Sequence, residues 1–276
     1  MNSEFKIQAI LNGVTFSTLS HIYLNEARPL KRPVSEITPM QRPQFSEEFP
    51  ELGAGLLVPI HVWLITGPGG PILVDTGVPP CDELRQIIES HGGEFKPCIQ
   101  LDEWLLDRQL ELFGLKPEDI KTIVLTHLHG DHYGNNELFP NAHFYVHEAE
   151  IPVCIAPPKW APFYRPGYAL HLLRVLDRVI PISSDRQLIE GIDLMHIGGH
   201  APGLMSVIVS TRLGRVAIAG DLIHSYGNLE FDWPLGSLWN LSQAMQSMQR
   251  LRESADIVLP SHDWELWERF PDGVIG

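Results

Sequence analysis

The sequence predicts a layered α/β fold, an αββα sandwich in which two β-sheets pack face to face and helices cover their outer faces. Short apolar runs typical of strands alternate with helical patterns in both halves of the chain, and several of these runs end at a His or an Asp. The chain has 276 residues, 44% of them hydrophobic, which suffices for one substantial core. We therefore expect a single domain that spans residues 1–276.

The strands are predicted from apolar runs that are bounded by turn residues. Residues 5–24 alternate between apolar and polar side chains, which predicts two strands around a turn at Asn12 and Gly13. Further strands are expected at about 56–66, 72–74, 120–125, 142–146, 179–182, 187–194, 195–197, 205–210, 216–219 and 257–259.

Helical spacing of apolar side chains predicts helices at about 82–91, 103–114 and 236–254. Two stretches lack a clean period. Residues 25–57 are polar and broken by prolines, and residues 151–175 are rich in proline and aromatic side chains. Both are predicted to be loop excursions, and long excursions in a compact domain are usually functional or disordered.

Composition excludes several classes of function. A formal net charge of −14 argues against a basic surface that binds nucleic acid. No stretch reaches the roughly 18 apolar residues of a membrane span, and the first residues do not resemble a signal peptide, so we expect a cytoplasmic protein with no membrane partner. The three cysteines, Cys81, Cys98 and Cys154, are expected to be reduced thiols, because their number is odd and their spacing irregular.

The chemistry-bearing cluster follows the predicted strand at 120–125. His127, His129, Asp131 and His132 lie within six residues, with Gly130 allowing a sharp turn. His127 and His129 are two residues apart, so on an extended strand end both imidazoles point to the same side. Such a dense set of nitrogen and oxygen donors predicts a metal site rather than a solvated His-rich loop.

Three more candidate ligands lie far along the chain, each just past a predicted short strand: His200, Asp221 and His262. Strand ends in layered α/β folds are where functional side chains gather. Together with the cluster, these side chains supply enough ligands for two Zn²⁺-like ions, each retaining a position for water. Mn²⁺, Fe²⁺ and Co²⁺ also accept such nitrogen and oxygen donors.

These motifs resemble the metallo-β-lactamase superfamily along most of the chain. The resemblance rests on segments that occur in the family's order, namely Asp75-Thr76-Gly77, the cluster from His127 to His132, Gly199-His200-Ala201-Pro202-Gly203, Gly220-Asp221 and Ser261-His262. It implies a four-layer αββα sandwich of the metallo-β-lactamase type, a homodimer, a small-molecule substrate and two divalent metal ions.

The resemblance also implies a role for each ligand. It assigns the first metal to His127, His129 and His200, the second metal to Asp131, His132 and His262, and the bridging position to Asp221. By the same resemblance, Asp75 orients one of the ligand histidines.

Within the superfamily, the spacing is most similar to the N-acyl homoserine lactonase group, with Gly134-Asn135-Asn136 after the cluster. That group carries a tyrosine three residues after the bridging aspartate, where this chain has His224. In this respect the segment from Gly220 to His224 looks more like methyl parathion hydrolase and its relatives. This difference leaves the identity of the substrate open. It does not affect the prediction of the metal site.

A hydrolase is the expected function. Two metal ions about 3.5–4 Å apart lower the pKa of a shared water from about 15.7 towards 7, and the resulting hydroxide attacks a carbonyl carbon or a phosphorus. Asp131 is predicted to accept a proton from this water. His224 is expected either to donate a hydrogen bond to the oxyanion or leaving group, or merely to pack beside the site.

Several substrates remain open. Hydrolysis of a lactone or related carboxylic ester is the leading hypothesis, and a phosphotriester or aryl-ester hydrolase and a thioesterase of the glyoxalase II type are alternatives. A different class, a non-catalytic metal-binding sensor, is disfavoured by the complete ligand set. Aromatic residues in the two loop excursions and the segment Leu229–Trp233 predict a moderately hydrophobic pocket above the metals.

Overall fold

The computed structural model describes residues 4–22, 55–90, 98–161 and 163–276. Most of the predicted excursion at 25–57 lies outside these ranges, and its last residues begin a strand. Within the described part of the chain, no helix is both long enough and apolar enough to cross a membrane.

Two mixed β-sheets form the centre of the fold. The first sheet contains β1 (Lys6–Thr18), β2 (Gly55–Thr66), β3 (Ile72–Val74), β4 (Cys98–Ile99), β5 (Thr122–Val124), β6 (His143–His147), β7 (Val179–Ile182) and β13 (Val274–Ile275). The second sheet contains β8 (Arg186–Ile189), β9 (Ile192–His196), β10 (Met205–Thr211), β11 (Gly214–Ile218) and β12 (Ile257–Leu259). Their order is β13-β1-β2-β3-β5-β6-β7, with β4 beside β1, and β12-β11-β10-β9-β8.

Helices and short helical turns cover the sheets. The α-helices span Leu19–Ile22, Cys81–Ser90, Leu106–Glu111, Glu150–Ile155, Ala169–Leu173, Tyr226–Glu230, Leu241–Ser254 and Glu265–Arg269. The longest begins at Leu241 rather than at the predicted 236, because the side chain of Asn240 accepts a hydrogen bond from the backbone N–H of Gln243 at 3.0 Å and so caps the helix. The predicted helix at 103–114 is a 3₁₀ turn, Asp102–Trp104, followed by Leu106–Glu111.

Alternation along the strands divides the core into two clusters of buried side chains. Val124 and Val207 pack in the cluster that joins the two sheets, whereas their neighbours Ile123 and Ile208 pack in the cluster that includes the helices. All four side chains are buried, because both faces of these central strands are covered. The αββα sandwich predicted from the sequence is confirmed.

The predicted N-terminal hairpin is wrong, because residues 6–18 form one long strand. Its pairing with β2 shifts at Asn12, where Leu11 faces His61 but Gly13 faces Ile60. Asn12 is therefore the extra residue of a β-bulge. Its buried side chain accepts a hydrogen bond from the backbone N–H of Val78 at 2.8 Å, which replaces part of the lost strand pairing.

The prediction of three reduced thiols is also wrong. Cys81 and Cys98 form a disulfide with their Cα atoms 5.8 Å apart, and only Cys154 of the three is free and buried. Spacing along the chain could not reveal this pair, because it forms only when the N-terminus of the helix Cys81–Ser90 lies beside β4.

Candidate metal centre

Strand ends from both sheets meet at one edge of the sandwich. Asp75 follows β3 and the cluster from His127 to His132 follows β5, and these two strands are parallel neighbours. Asp221 and His262 likewise follow the parallel neighbours β11 and β12. A hydrogen bond of 2.9 Å from the backbone N–H of Met205 to the carbonyl of Thr126 joins the two edges. The sheets therefore bring together side chains that are far apart in sequence.

The first predicted set of ligands converges closely. His127 Nε2 and His200 Nε2 each lie 2.9 Å from His129 Nδ1. Asp221 Oδ2 lies 3.9 Å from His127 Nε2 and 3.5 Å from His200 Nε2. These four atoms lie within 4.8 Å of one another, and the four residues are buried. The set can surround one small cation.

The second predicted set lies on the other side of Asp221. Its Oδ1 atom is 3.2 Å from His132 Nε2 and 3.2 Å from His262 Nε2. The two oxygens of Asp131 lie 3.7 Å from the same imidazole nitrogens, one from each. Asp131 is the most open of these residues, with its side chain 30% exposed. The set can hold a second cation that faces solvent on the Asp131 side.

Asp221 faces both sets, with one carboxylate oxygen toward each. Burial opposes its ionisation, but His132, His262 and His224 hold the pKa of Asp221 well below its usual value. Burial also opposes protonation of His132, yet Asp221, Asp131 and Asp75 raise its pKa well above the usual value. The acidic side chains therefore make this pocket favourable for positive charge.

The residues fit divalent metal ions by three tests. His132 Nε2 and Asp221 Oδ1 are buried 3.2 Å apart, but neither atom makes a well-aligned hydrogen bond with any described residue, although buried polar atoms are normally satisfied. Burial and neighbouring imidazoles lower the pKa of His127 and His129 well below 6.5, which keeps both in the neutral form that binds metal. The donors are nitrogen and carboxylate oxygen, the set that Zn²⁺ and similar ions accept.

Further hydrogen bonds orient the ligands. Asp75, predicted as an orienting carboxylate, accepts from His132 Nδ1 at 2.8 Å and from the backbone N–H of Thr126 at 2.7 Å. His200 Nδ1 bonds the carbonyl of Ser237 at 2.7 Å, and His262 Nδ1 bonds that of Pro59 at 2.8 Å. These contacts fix which nitrogen of each ring faces the centre. The sequence could not predict the two carbonyl acceptors, because every residue has a backbone carbonyl.

His224 lies inside the centre rather than beside it. Its Nε2 atom is 3.0 Å from Asp221 Oδ2, and its Nδ1 atom is buried with no hydrogen-bond partner among the described residues. Burial lowers the pKa of His224, so the ring is neutral at pH 7. Asp221, His224 and His262 form a third set of donors within 4.8 Å. The ring can therefore donate a hydrogen bond or act as a ligand.

A cavity of about 370 Å³ opens onto the centre. Phe163 and Tyr168, from the predicted excursion at 151–175, line it, and the ring of Phe163 lies 5.5 Å from that of His129. Trp160 instead packs against Trp239 and is 63% exposed. An apolar wall of the cavity is formed by Phe16, Val58, Ile60, Val78, Leu84, Ile88 and Cys98, and the polar residues Thr15, Ser17 and His21 also line the cavity.

Sequence reasoning did not find this wall, since its members come from β1, β2, β4, the helix Cys81–Ser90 and the loop before that helix. It also missed Arg165, whose side chain lines the cavity near Tyr168. The predicted segment Leu229–Trp233 does not contribute to the described lining.

Comparison with known proteins identifies the family. The profile of the metallo-beta-lactamase superfamily matches residues 55–262. The N-acyl homoserine lactonase of Bacillus cereus is 28% identical over 218 residues, covering 76% of this chain and 83% of that protein. The N-acyl homoserine lactonase AttM of Rhizobium radiobacter is 28% identical over 235 residues, covering 79% and 87%.

Solved structures share the fold. An N-acyl homoserine lactone hydrolase with N-hexanoyl-L-homoserine at its catalytic metal centre superposes with a TM-score of 0.72 at 24% identity, covering 98% of this chain and 99% of that one. AidC, a dizinc quorum-quenching lactonase, gives a TM-score of 0.64 at 20% identity, covering 94% and 87%. With the matched profile and the two ligand sets in the family's order, this chain belongs to the metallo-beta-lactamase superfamily.

Proposed function

We propose that this protein is a dinuclear metal-dependent hydrolase that opens lactones or related carboxylic esters. The observation that carries the proposal is Asp221, whose two carboxylate oxygens each face a separate set of imidazole nitrogens. Relatives of similar length named as N-acyl homoserine lactonases support the choice of a lactone. The apolar wall of the cavity supports a substrate with a hydrocarbon tail.

The ligand roles follow the two sets of donors. We assign the first ion to His127, His129 and His200, the second to Asp131, His132 and His262, and the bridge to Asp221. When bound, two such ions polarise the carbonyl under attack and lower the pKa of water. Asp131 also takes a proton from the attacking water, since its partly exposed carboxylate lies at the open side of the centre.

His224 is the second catalytic residue of the proposal. Its neutral imidazole lines the cavity, and in the tautomer whose single N–H does not face Asp221 it can donate a hydrogen bond to the oxygen that gains negative charge. The tyrosine expected at this position in lactonases is replaced by a donor of different shape. This replacement is also the specific observation that favours a second candidate function, hydrolysis of aryl esters or phosphotriesters.

A substrate panel tests the function. The metal-loaded protein is assayed with N-acyl homoserine lactones, γ- and δ-lactones, aryl esters, phosphotriesters and thioesters, each with and without a chelator. We expect the highest kcat/KM for lactones with an apolar tail and loss of turnover with chelator. A preference for phosphotriesters would support the second candidate. No turnover of any of these substrates would favour a metal-binding sensor.

The variant His224→Phe tests the catalytic residue, with His224→Gln as a matched control that keeps an N–H donor. We expect the phenylalanine variant to retain two metal ions per chain and to lose roughly 10²–10³-fold in kcat, the usual effect of removing one donor from an oxyanion site. The glutamine variant should lose less. If metal is lost together with activity, His224 is a ligand and the proposed role is wrong.

Four further predictions remain to be tested. Elemental analysis of protein purified without added metal will identify the ions, which we propose to be zinc.

Light scattering will test the homodimer. Apolar side chains that are exposed in the single chain, such as Trp160, Leu170 and Leu173, are available to such an interface. The cytoplasmic location and the single domain over residues 1–276 stay predictions, testable by cell fractionation and limited proteolysis.

A further inference from the structure

Glu150 is a fully buried carboxylate that belongs to neither set of ligands. It begins the helix Glu150–Ile155, just after β6. Its Oε2 atom accepts hydrogen bonds from the backbone N–H of Leu128 and from the hydroxyl of Tyr164, both at 2.8 Å. Its Oε1 atom accepts from the backbone N–H of Gly203 at 2.7 Å. Among the described residues no Lys or Arg forms an ion pair with it, so these three donors stabilise the buried group.

Two of the donors belong to segments that hold ligands of the first set, and the third contacts one of these ligands. Leu128 lies between His127 and His129 in the cluster after β5. Gly203 ends the Gly199–Gly203 turn, which carries the third ligand of that set. The ring of Tyr164 meets that of His129 edge-on, with centroids 4.5 Å apart. The Glu150 carboxylate therefore accepts hydrogen bonds from groups next to the His127, His129 and His200 imidazoles, and not from the imidazoles themselves.

The backbone of Gly203 packs tightly against the side chain of Glu150. A Cβ atom at Gly203 would lie 2.8 Å from Glu150 Cγ and 3.0 Å from His147 Cβ. The first of these distances is shorter than real Cβ contacts and the second is unusually tight, so glycine lets the backbone come within hydrogen-bond distance of the carboxylate without displacing Glu150. The backbone at residue 203 thus has no room for another side chain and is held against Glu150.

We propose that Glu150 is a positioning residue that fixes the separation between the segment His127–His129 and the turn that carries His200, and so sets the affinity of the first metal position. The inference rests on the metal-binding part of the proposed function. The second set is oriented by other groups, Asp75 and the carbonyl of Pro59. The hydrogen bonds of Glu150 therefore act on the first position, and only a longer-range electrostatic interaction with His132 reaches the second.

The substitution Glu150→Gln removes this function with little change in shape. An amide has only one oxygen, so its NH₂ group must face either the N–H of Gly203 or the N–H of Leu128 and the hydroxyl of Tyr164. In either orientation a hydrogen-bond donor faces another donor, and at least one hydrogen bond is lost. Tyr164→Phe is a milder change that removes one of the three hydrogen bonds. Glu148→Gln, two residues earlier on an exposed side chain, is the matched control.

The experiment separates the two metal positions by making each substitution in two backgrounds. His262→Ala disables the second set and His200→Ala disables the first. Metal-free protein is titrated with Co²⁺, and visible absorption gives the Kd of the remaining position. We expect Glu150→Gln to raise Kd roughly 10–100-fold in the His262→Ala background and by less than about threefold in the His200→Ala background, in line with other orienting contacts.

Tyr164→Phe should give a smaller rise in the same background, and Glu148→Gln should have no effect in either. An unchanged Kd, or an equal rise at both positions, would overturn the positioning role, since general loss of stability does not distinguish the two sets. If Glu150→Gln does not fold, the comparison of Tyr164→Phe between the two backgrounds decides the question. Failure of wild-type protein to bind two Co²⁺ ions would instead refute the metal centre itself.

Discussion

Removal of the Cys81–Cys98 disulfide should destabilise the protein by a calculable amount. The bridge joins the first residue of the helix Cys81–Ser90 to β4 across a sequence separation of 17 residues. In the chain-entropy treatment, closing a loop of this length lowers the free energy of folding by roughly 3 kcal/mol at 25 °C. The double variant Cys81→Ser, Cys98→Ser should therefore unfold more readily by about that amount.

The corresponding change in melting temperature follows from the size of the chain. Unfolding gains about 2.1 cal/mol/K of entropy per residue, so for 276 residues a loss of 3 kcal/mol lowers Tm by about 5 °C. Scanning calorimetry of wild-type and double-variant protein measures the shift. Reductant should move wild-type protein to the Tm of the double variant and leave the double variant unchanged.

Thiol titration in denaturant is the independent check. Wild-type protein should react as one thiol per chain before reduction and three after it, since only Cys154 is free. Three reactive thiols without reductant would refute the disulfide. Coincident melting curves for the two proteins, with the bridge demonstrably present, would refute the entropy argument.

Three further predictions concern the centre and the bulge. His129→Ala and Asp221→Ala should each abolish turnover and bind less metal, measured by elemental analysis, and full metal content in an inactive variant would contradict the ligand roles. Asp75→Asn should weaken metal binding by about 10–100-fold, because an amide cannot accept hydrogen bonds from both Thr126 and His132, and competition with a chromophoric chelator measures the loss. Asn12→Ala should lower the free energy of unfolding by about 2–4 kcal/mol in urea melts, since buried partners lose their hydrogen bonds, and a change below 1 kcal/mol would contradict the role of the bulge.

The apolar surface around the metal centre depends on distant segments. Phe16 comes from β1, Val58 and Ile60 from β2, and Leu84 and Ile88 from the helix tethered by the disulfide. None of these residues carries a signal that separates a cavity wall from ordinary core. Hydrophobic patterning predicts that such residues are buried but not which of them face a cavity.

The sequence by itself determined the fold class and the seven candidate ligands. Period-two alternation and strand-terminal His and Asp are local features, and they remain visible without knowing the neighbours of a strand. The orienting contact of Asp75 was likewise anticipated, through the resemblance of its motif. The structure then brought all seven side chains to one edge of the sandwich.

Only the tertiary structure decided how Asn12, Cys98 and Glu150 are used. A bulge and a turn share the same Asn-Gly signal, and the choice depends on whether β2 continues alongside, as it does here. The bridge to Cys81 and the three hydrogen bonds to Glu150 join groups that are between 14 and 53 residues apart. Such contacts depend on where folding places backbone N–H groups and side chains in space, which spacing along the chain does not encode.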